Sequence, residues 1–544
     1  MKPDTPSEVI QEEPLEVAAE LVRRLHEAGV RYGLYKNTGT LCVALAGRCD
    51  LDLIVASADM ARFRTIVREL YGVRGLCHRF SSDAGAGRED WFLPDFGRAD
   101  YIYLDVRTEL FSGPKFAKRY PEVRYEDIRA WQTAPPPFPP IPLVTPDEEA
   151  RIAVLRSMFR RSLRSGEEWV RLNDRTSLLG QEEFKWFFQY RFGKTAVVCP
   201  VRNAAGTLEV DGGALRALRN AWRVNYAGTP LAAVADFSRG QMRRLIFSGA
   251  RRLSRFSPAL SAARRRIDQG GAIFALVGPD GVGKSSQAAR VASLFQRKFR
   301  CTTVYLGSGE GGWKLRRLFQ RWYHSWQSGL HRRRPSASAT RPLARALASF
   351  AAALERYIML AVARGLARKG AIVITDRWPQ NLRPGLLDGP SRIPLNGSAI
   401  VRFLGSIERS LYRRMEIYEP DLTIHLLSDF ETSNERKPGA SEPARFEQRL
   451  AVMRMMRARS SHIRTVDVRR SFPEVTQDIF RSIWLTLWRR AGRASNPEVG
   501  GSTPSERTAP VRKGKVDLLC EFAVGHRTPG PVKLPMCGGP GDRP

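Results

Sequence analysis

Apolar positions recur along the chain with two periods, and the change from one to the other divides it. Residues 15–28 repeat at helical spacing and predict an amphipathic helix, followed by an alternating strand at Val30–Tyr35. A second strand, Leu51 to Val55, leads into a helix with Phe63, Ile66, Val67 and Leu70 on one face, and a third strand spans Tyr101 to Val106. These elements predict a small α/β unit over 1–133, bounded by the proline-rich stretch Ala134-Pro-Pro-Pro-Phe-Pro-Pro140, because proline deletes backbone donors and favours extended chain. Thr145-Pro-Asp-Glu148 then has the form of a helix start, with Ile152, Leu155, Phe159 and Leu163 as the apolar face behind it. The span 134–268 is expected to be a basic helical connector. From Gly271 five apolar runs, at 272–277, 302–306, 371–375, 422–427 and 465–468, alternate with helical stretches. That order predicts a parallel sheet covered on both faces over 269–490. After 490 a Gly, Pro, Ser and Arg composition without periodicity predicts a disordered tail, 491–544.

Composition adjusts this picture in three ways. A chain of 544 residues, 43% hydrophobic, is long enough for three or four cores at about 150 residues each. Lys and Arg number 88 against 55 Asp and Glu, a formal charge of +33 that attracts anions. The basic runs 160–164, 264–266 and 331–334 lack the interleaved aromatic residues of a single-strand groove. Nucleotide phosphates therefore rank ahead of nucleic acid or a membrane surface as partner. The seven cysteines, 42, 49, 77, 199, 301, 520 and 537, include no Cys-x-x-Cys pair, which suits a reducing cytoplasm better than a disulfide or zinc scaffold. No signal-peptide core opens the chain. The most apolar stretch, 343–366, is broken by Arg345, Glu355, Arg356 and Arg364, so no membrane span is expected. A homodimer is compatible with all of this.

The strongest chemical signal is Gly278-Pro-Asp-Gly-Val-Gly-Lys-Ser285, which satisfies G-x-x-x-x-G-K-[ST] between a strand and a helix with Ala288, Val291, Phe295 and Phe299 on one side. In that context the loop amides and the helix N-terminus point at one anion site. Gly278, Gly281 and Gly283 let the backbone wrap phosphates. Lys284 supplies charge to the β and γ phosphates of ATP, and the Ser285 hydroxyl offers a Mg2+ position.

The loop, with Ser286 after it and Asp280 within it, resembles that of the thymidylate kinases, and the resemblance extends over about 220 residues. Asp376-Arg377-Trp378 is similar to the family's Asp-Arg-Tyr or Asp-Arg-His. The resemblance implies that Asp376 sits near magnesium and the transferring group, that Arg377 holds the acceptor phosphate, and that Asp280 meets the acceptor's sugar hydroxyl. As a bare residue, Asp280 is equally well read as a cap on the following helix. Asn434-Glu-Arg-Lys-Pro438 resembles the family's lid, with Arg436 as the arginine that closes over the phosphates. Strands Asp421–Leu427 and Thr465–Val468 complete the pattern. The segment Pro379–Pro390 departs from the family's serine and Ala-Tyr-Gln element, which separates phosphoryl transfer from thymidine specificity.

A second constellation lies near the N-terminus. Asp50-Leu-Asp52 places two carboxylates on one strand face, where they can share a divalent metal, and Asp105 can add a third from a neighbouring strand. With Lys36-Asn37 and Gly47-Arg-Cys, this set resembles the polymerase β type of nucleotidyltransferase over about 110 residues, although Lys36-Asn37-Thr38-Gly39 replaces the family's Gly-Ser pair. The expectation is a P-loop kinase acting on a nucleoside monophosphate or related acceptor. Two alternatives stand beside it: a nucleotidyltransferase with a regulatory P-loop unit, and a basic nucleotide-sensing binding protein.

Overall fold

A computed structural model describes residues 13–36, 38–78, 87–112, 120–146, 148–149, 152, 201–202, 208–209, 229–253, 264–307, 340–391 and 398–495. Most of the expected connector, the expected tail beyond Ser495, the basic runs 160–164 and 331–334, and Asn37 lie outside the described residues; residues 491–495 of that tail continue a helix.

The first half is built from α1 (Glu16–Glu27), β1 (Tyr32–Leu34), β2 (Asp50–Val55), α2 (Met60–Glu69), β3 (Val73–Leu76), β4 (Arg88–Asp95), β5 (Asp100–Arg107), β6 (Trp131–Thr133) and β7 (Pro142–Val144). After a long helix, α3 (Pro230–Leu253), the short β8 (Arg266–Ile267) returns to the edge of the same sheet, whose order is β8-β3-β4-β5-β2-β1-β7-β6. Strands β2 and β5 run parallel and the β3, β4, β5 series is antiparallel. The sheet therefore continues past the proline-rich stretch, and β7 pairs with β1 through Leu34 and Leu143.

The second half contains β9 (Ala272–Val277), α4 (Lys284–Gln296), β10 (Cys301–Tyr305), α5 (Thr340–Arg368), β11 (Ile372–Asp376), α6 (Ala399–Glu416), β12 (Leu422–Leu427), α7 (Phe430–Arg436), α8 (Pro443–Arg459), β13 (Ile463–Asp467) and α9 (Phe472–Ser495). Its five strands are all parallel in the order β10-β11-β9-β12-β13. All five apolar runs anticipated from the sequence are strands, displaced by no more than two residues at either end. They read so clearly because a parallel strand covered on both sides is apolar throughout. In β9, Ala272, Phe274 and Leu276 face α4 and α9, whereas Ile273, Ala275 and Val277 face α5, α6 and α8.

Within the described residues one helix, Pro342–Arg368 of α5, is long and apolar enough to cross a bilayer by length and composition, with mean hydropathy 1.5. Here Ala353, Leu360 and Ala363 of that helix are buried against the sheet.

The two halves share a core. Phe92 of β4 and Tyr101 of β5 pack on Phe299 and Trp484, with ring centroids 4.3 Å apart for Phe92–Phe299 and 5.6 Å for Tyr101–Trp484. Trp484 Nε1 also donates to the carbonyl of Tyr71 at 2.9 Å, and Trp488 Nε1 to that of Arg68 at 2.9 Å. The helix layer of α4 and α9 is thus packed between two sheets.

Candidate functional site

The P-loop folds as its glycines require. Gly281 and Gly283 take φ of +90° and +83°, a region that side chains with a Cβ rarely enter. A Cβ on Gly281 would stand 2.3 Å from the Ser433 carbonyl oxygen of α7. The loop leaves the carboxyl end of β9 between its two neighbours, β11 on one side and β12 on the other, the crevice where open parallel sheets bind ligands. A pocket of about 450 Å³ opens there, lined by residues 280–287 together with Arg377, Arg436, Lys437 and Arg470.

Asp376 ends β11 opposite Leu276, which brings its carboxylate to the loop: Ser285 Oγ donates to Asp376 Oδ2 at 2.5 Å. The other oxygen, Oδ1, is buried without a hydrogen-bond partner. A buried carboxylate oxygen with nothing to accept from is costly, and a hydroxyl beside it completes a pair of hard oxygen donors suited to Mg2+. These two residues would hold that ion.

Lys284 is buried, and its Nζ donates to the carbonyl of Pro279 at 2.5 Å. Burial, then the nearby Arg377 charge, lowers its pKa to about 8. Both costs are relieved by an anion in the pocket. Arg377 adopts φ of +76°, a strained backbone for a side chain of its size, and such strain collects where a residue is held for function. It bonds Asp280 Oδ1 at 2.8 Å and Asp388 Oδ2 at 3.2 Å. Asp280 also takes Arg449 at 2.8 Å, with Lys284 at 3.9 Å. Burial raises the Asp280 carboxyl, but Arg377 and Arg449 outweigh it and hold the group below its usual range. The helix-cap reading of Asp280 is therefore replaced by that of an ion-pair hub, since both its oxygens bond guanidinium groups. Arg436, at the end of α7, lines the pocket and donates to the Val468 carbonyl at 2.8 Å.

Sequence reasoning missed Asp388, Arg356, Arg449, Lys437 and Arg470. Asp388 comes from the segment that departs from the thymidylate kinase pattern. Gln380 shapes that segment, its Oε1 accepting from the amides of Leu382 at 2.6 Å and Arg383 at 3.0 Å. Buried Arg356 of α5 lies 3.5 Å from Asp388 and donates to the Leu306 carbonyl at 2.9 Å. Its signal was a charge interrupting an apolar helix.

The N-terminal carboxylates are arranged differently. Asp52 and Asp105 are direct neighbours across β2 and β5, but Lys36 Nζ lies 2.8 Å from Asp52, and Arg88 and Arg107 lie 3.1 and 3.2 Å from Asp105. Burial raises the Asp105 carboxyl, and Arg107, Arg88 and Lys36 more than reverse this, holding it well below the usual range. Asp50 is turned to Lys298 of the P-loop half. Among the described residues no three His, Cys, Asp or Glu side chains converge where a metal can sit. The shared metal anticipated for Asp50, Asp52 and Asp105 meets lysine and arginine instead.

The chain is 30% identical over 220 residues to the Escherichia coli K12 protein described as uncharacterized ATP-binding protein YghR, covering 39% of this chain and 87% of that one. The chain belongs to the YghR family. A second Escherichia coli K12 protein, uncharacterized ATP-binding protein YghS, is 28% identical over 227 residues, covering 40% of this chain and 93% of its own. No family model matches. Two solved thymidylate kinases show a distant likeness. The Candida albicans enzyme has 18% identity and a TM-score of 0.26, covering 40% of this chain and 93% of its own; the Ehrlichia chaffeensis enzyme has 14% and 0.23, covering 39% and 97%. At this distance the chemistry has to be argued from the pocket itself.

Proposed function

We propose that the second half binds ATP with Mg2+ and transfers its γ phosphoryl group to a small phosphorylated acceptor, a nucleoside monophosphate of the thymidylate type being the first candidate. The reading rests on one observation: Ser285 and the half-unpartnered Asp376 meet at the mouth of a complete P-loop. When bound, Mg2+ supplies charge neutralisation to the phosphates. The loop amides cradle the nucleotide, and Lys284 leaves the Pro279 carbonyl for the β and γ oxygens. Arg377 orients the acceptor phosphate from a side chain already fixed by Asp280 and Asp388. Arg436, Lys437 and Arg470 close on charge that spreads over the group in flight. The ATP-binding descriptions of YghR and YghS support the donor.

The test is ATP consumption by the full chain across a panel of nucleoside monophosphates and sugars. Stimulation by at least one acceptor is expected in the wild type, with loss in Lys284→Ala. Unchanged turnover and nucleotide affinity in Lys284→Ala would sink the reading. For the first half we infer a structural and binding role, supported by the cations that fill the space between its carboxylates.

A further inference from the structure

A second pocket, of about 430 Å³, lies where the two halves meet, between the turn before β5 and the outer face of α4. Its charged lining consists of Arg48, Arg98, Arg290 and Arg297 against Asp100 and Glu13. Among the described residues, four guanidinium groups face two carboxylates there. Asp100 is shared between Arg48 and Arg297, and Arg98 pairs with Glu13. Arg290 forms no ion pair among the described residues. A seam built only to join two surfaces has no use for a surplus of two positive charges in a concave space, because unbalanced like charges repel. The Leu294 carbonyl at the pocket already accepts from Tyr101 Oη at 3.1 Å and Arg297 Nε at 3.4 Å.

We propose that this pocket binds a phosphate dianion, carried by a small phosphomonoester, as a site distinct from the P-loop. Two net positive charges match a dianion, and planar guanidinium forks suit phosphate oxygens better than an ammonium does. The volume accommodates a sugar or nucleoside behind the phosphate. Arg290 projects from α4, the helix that begins at Lys284, and Arg297 is its C-terminal cap residue, so the ligand would sit toward the far end of the element that presents the P-loop.

The experiment uses full-length Lys284→Ala, in which the P-loop is silenced, titrated calorimetrically with inorganic phosphate and with ribose 5-phosphate. One equivalent of either probe is expected to bind, and the tighter of the two tells a free ion site from an ester site. Adding Arg290→Glu should weaken that binding roughly tenfold or more, the loss of one charge-assisted contact and its reversal. Arg98→Glu, on the opposite wall, should do the same, and thermal melting of each variant establishes that it is folded. Failure of both probes to bind Lys284→Ala overturns the proposal. So does binding that is unchanged in both folded charge-reversal variants. Neither result bears on phosphoryl transfer at the P-loop, which Lys284→Ala tests separately.

Discussion

The molecule holds two groups of aspartates at strand positions, and their surroundings set them apart. At the end of β11, Asp376 has a hydroxyl on one oxygen and nothing on the other. In the middle of the N-terminal sheet, Asp52 and Asp105 stand side by side but each is matched by cations. Both arrangements bury a negative charge, at a cost of several kcal/mol unless it is compensated. The first is completed by a ligand from outside; the second is completed by the protein. An Asp-x-Asp pattern specifies where carboxylates point, and only the cations around them decide whether a metal has room.

The sharpest way to break this comparison is to neutralise one carboxylate of each kind. Asp376→Asn is expected to reduce acceptor-dependent ATP turnover roughly a hundredfold or more, as removal of a preorganised transition-state contact does, whereas Asp105→Asn should leave turnover per folded molecule near wild type. Steady-state assays of the two variants decide it; equal losses would show that the N-terminal carboxylates take part in the chemistry. Asp105→Asn should instead cost about 3–5 kcal/mol of stability by leaving Arg107 buried without its carboxylate, while Arg88 keeps Asp90, read from urea unfolding. Gly281→Ala probes the loop without touching a charge. The clash with the Ser433 carbonyl and the positive φ should cost about 1–3 kcal/mol, appearing as weaker binding of a nonhydrolysable ATP analogue.

The smallest effect concerns pH. In the free protein Lys284 loses its proton near pH 8, and the anion-bound form needs that proton, so affinity is full below 8 and falls as pH rises above it. Binding of the same analogue should weaken severalfold between pH 7 and 9. A flat profile would mean that Lys284 is not the group meeting the phosphates.

The two halves were unequally legible. The C-terminal strands announced themselves as uninterrupted apolar runs, and the P-loop as a motif whose spacing is dictated by backbone geometry. In the N-terminal half, β3 (Val-Arg-Gly-Leu) and β4 (Arg-Glu-Asp-Trp-Phe-Leu-Pro-Asp) were passed over, because their charged residues disguise the alternation and are accounted for only by partners elsewhere. Glu89 of β4, for example, accepts from Arg64 of α2 at 2.8 Å. Within the site, Lys284, Ser285, Asp376 and Arg377 were legible from motifs. Asp388, Arg356 and Arg449 were not, since tertiary folding alone brings them into the ion-pair network around Arg377 and Asp280 from 72 to 165 residues beyond Lys284 (356 − 284 = 72 and 449 − 284 = 165).

The aromatic layer joining the halves has a consequence for how the chain is made. Trp484 belongs to the last described helix, yet it covers Tyr101 of the first sheet. During synthesis Tyr101 must wait for that cover until 383 further residues have left the ribosome (484 − 101 = 383), while Phe299, which packs on both Phe92 and Tyr101, arrives earlier. Nascent chains in that interval carry an exposed aromatic surface, the kind that chaperones hold and that aggregates when they do not.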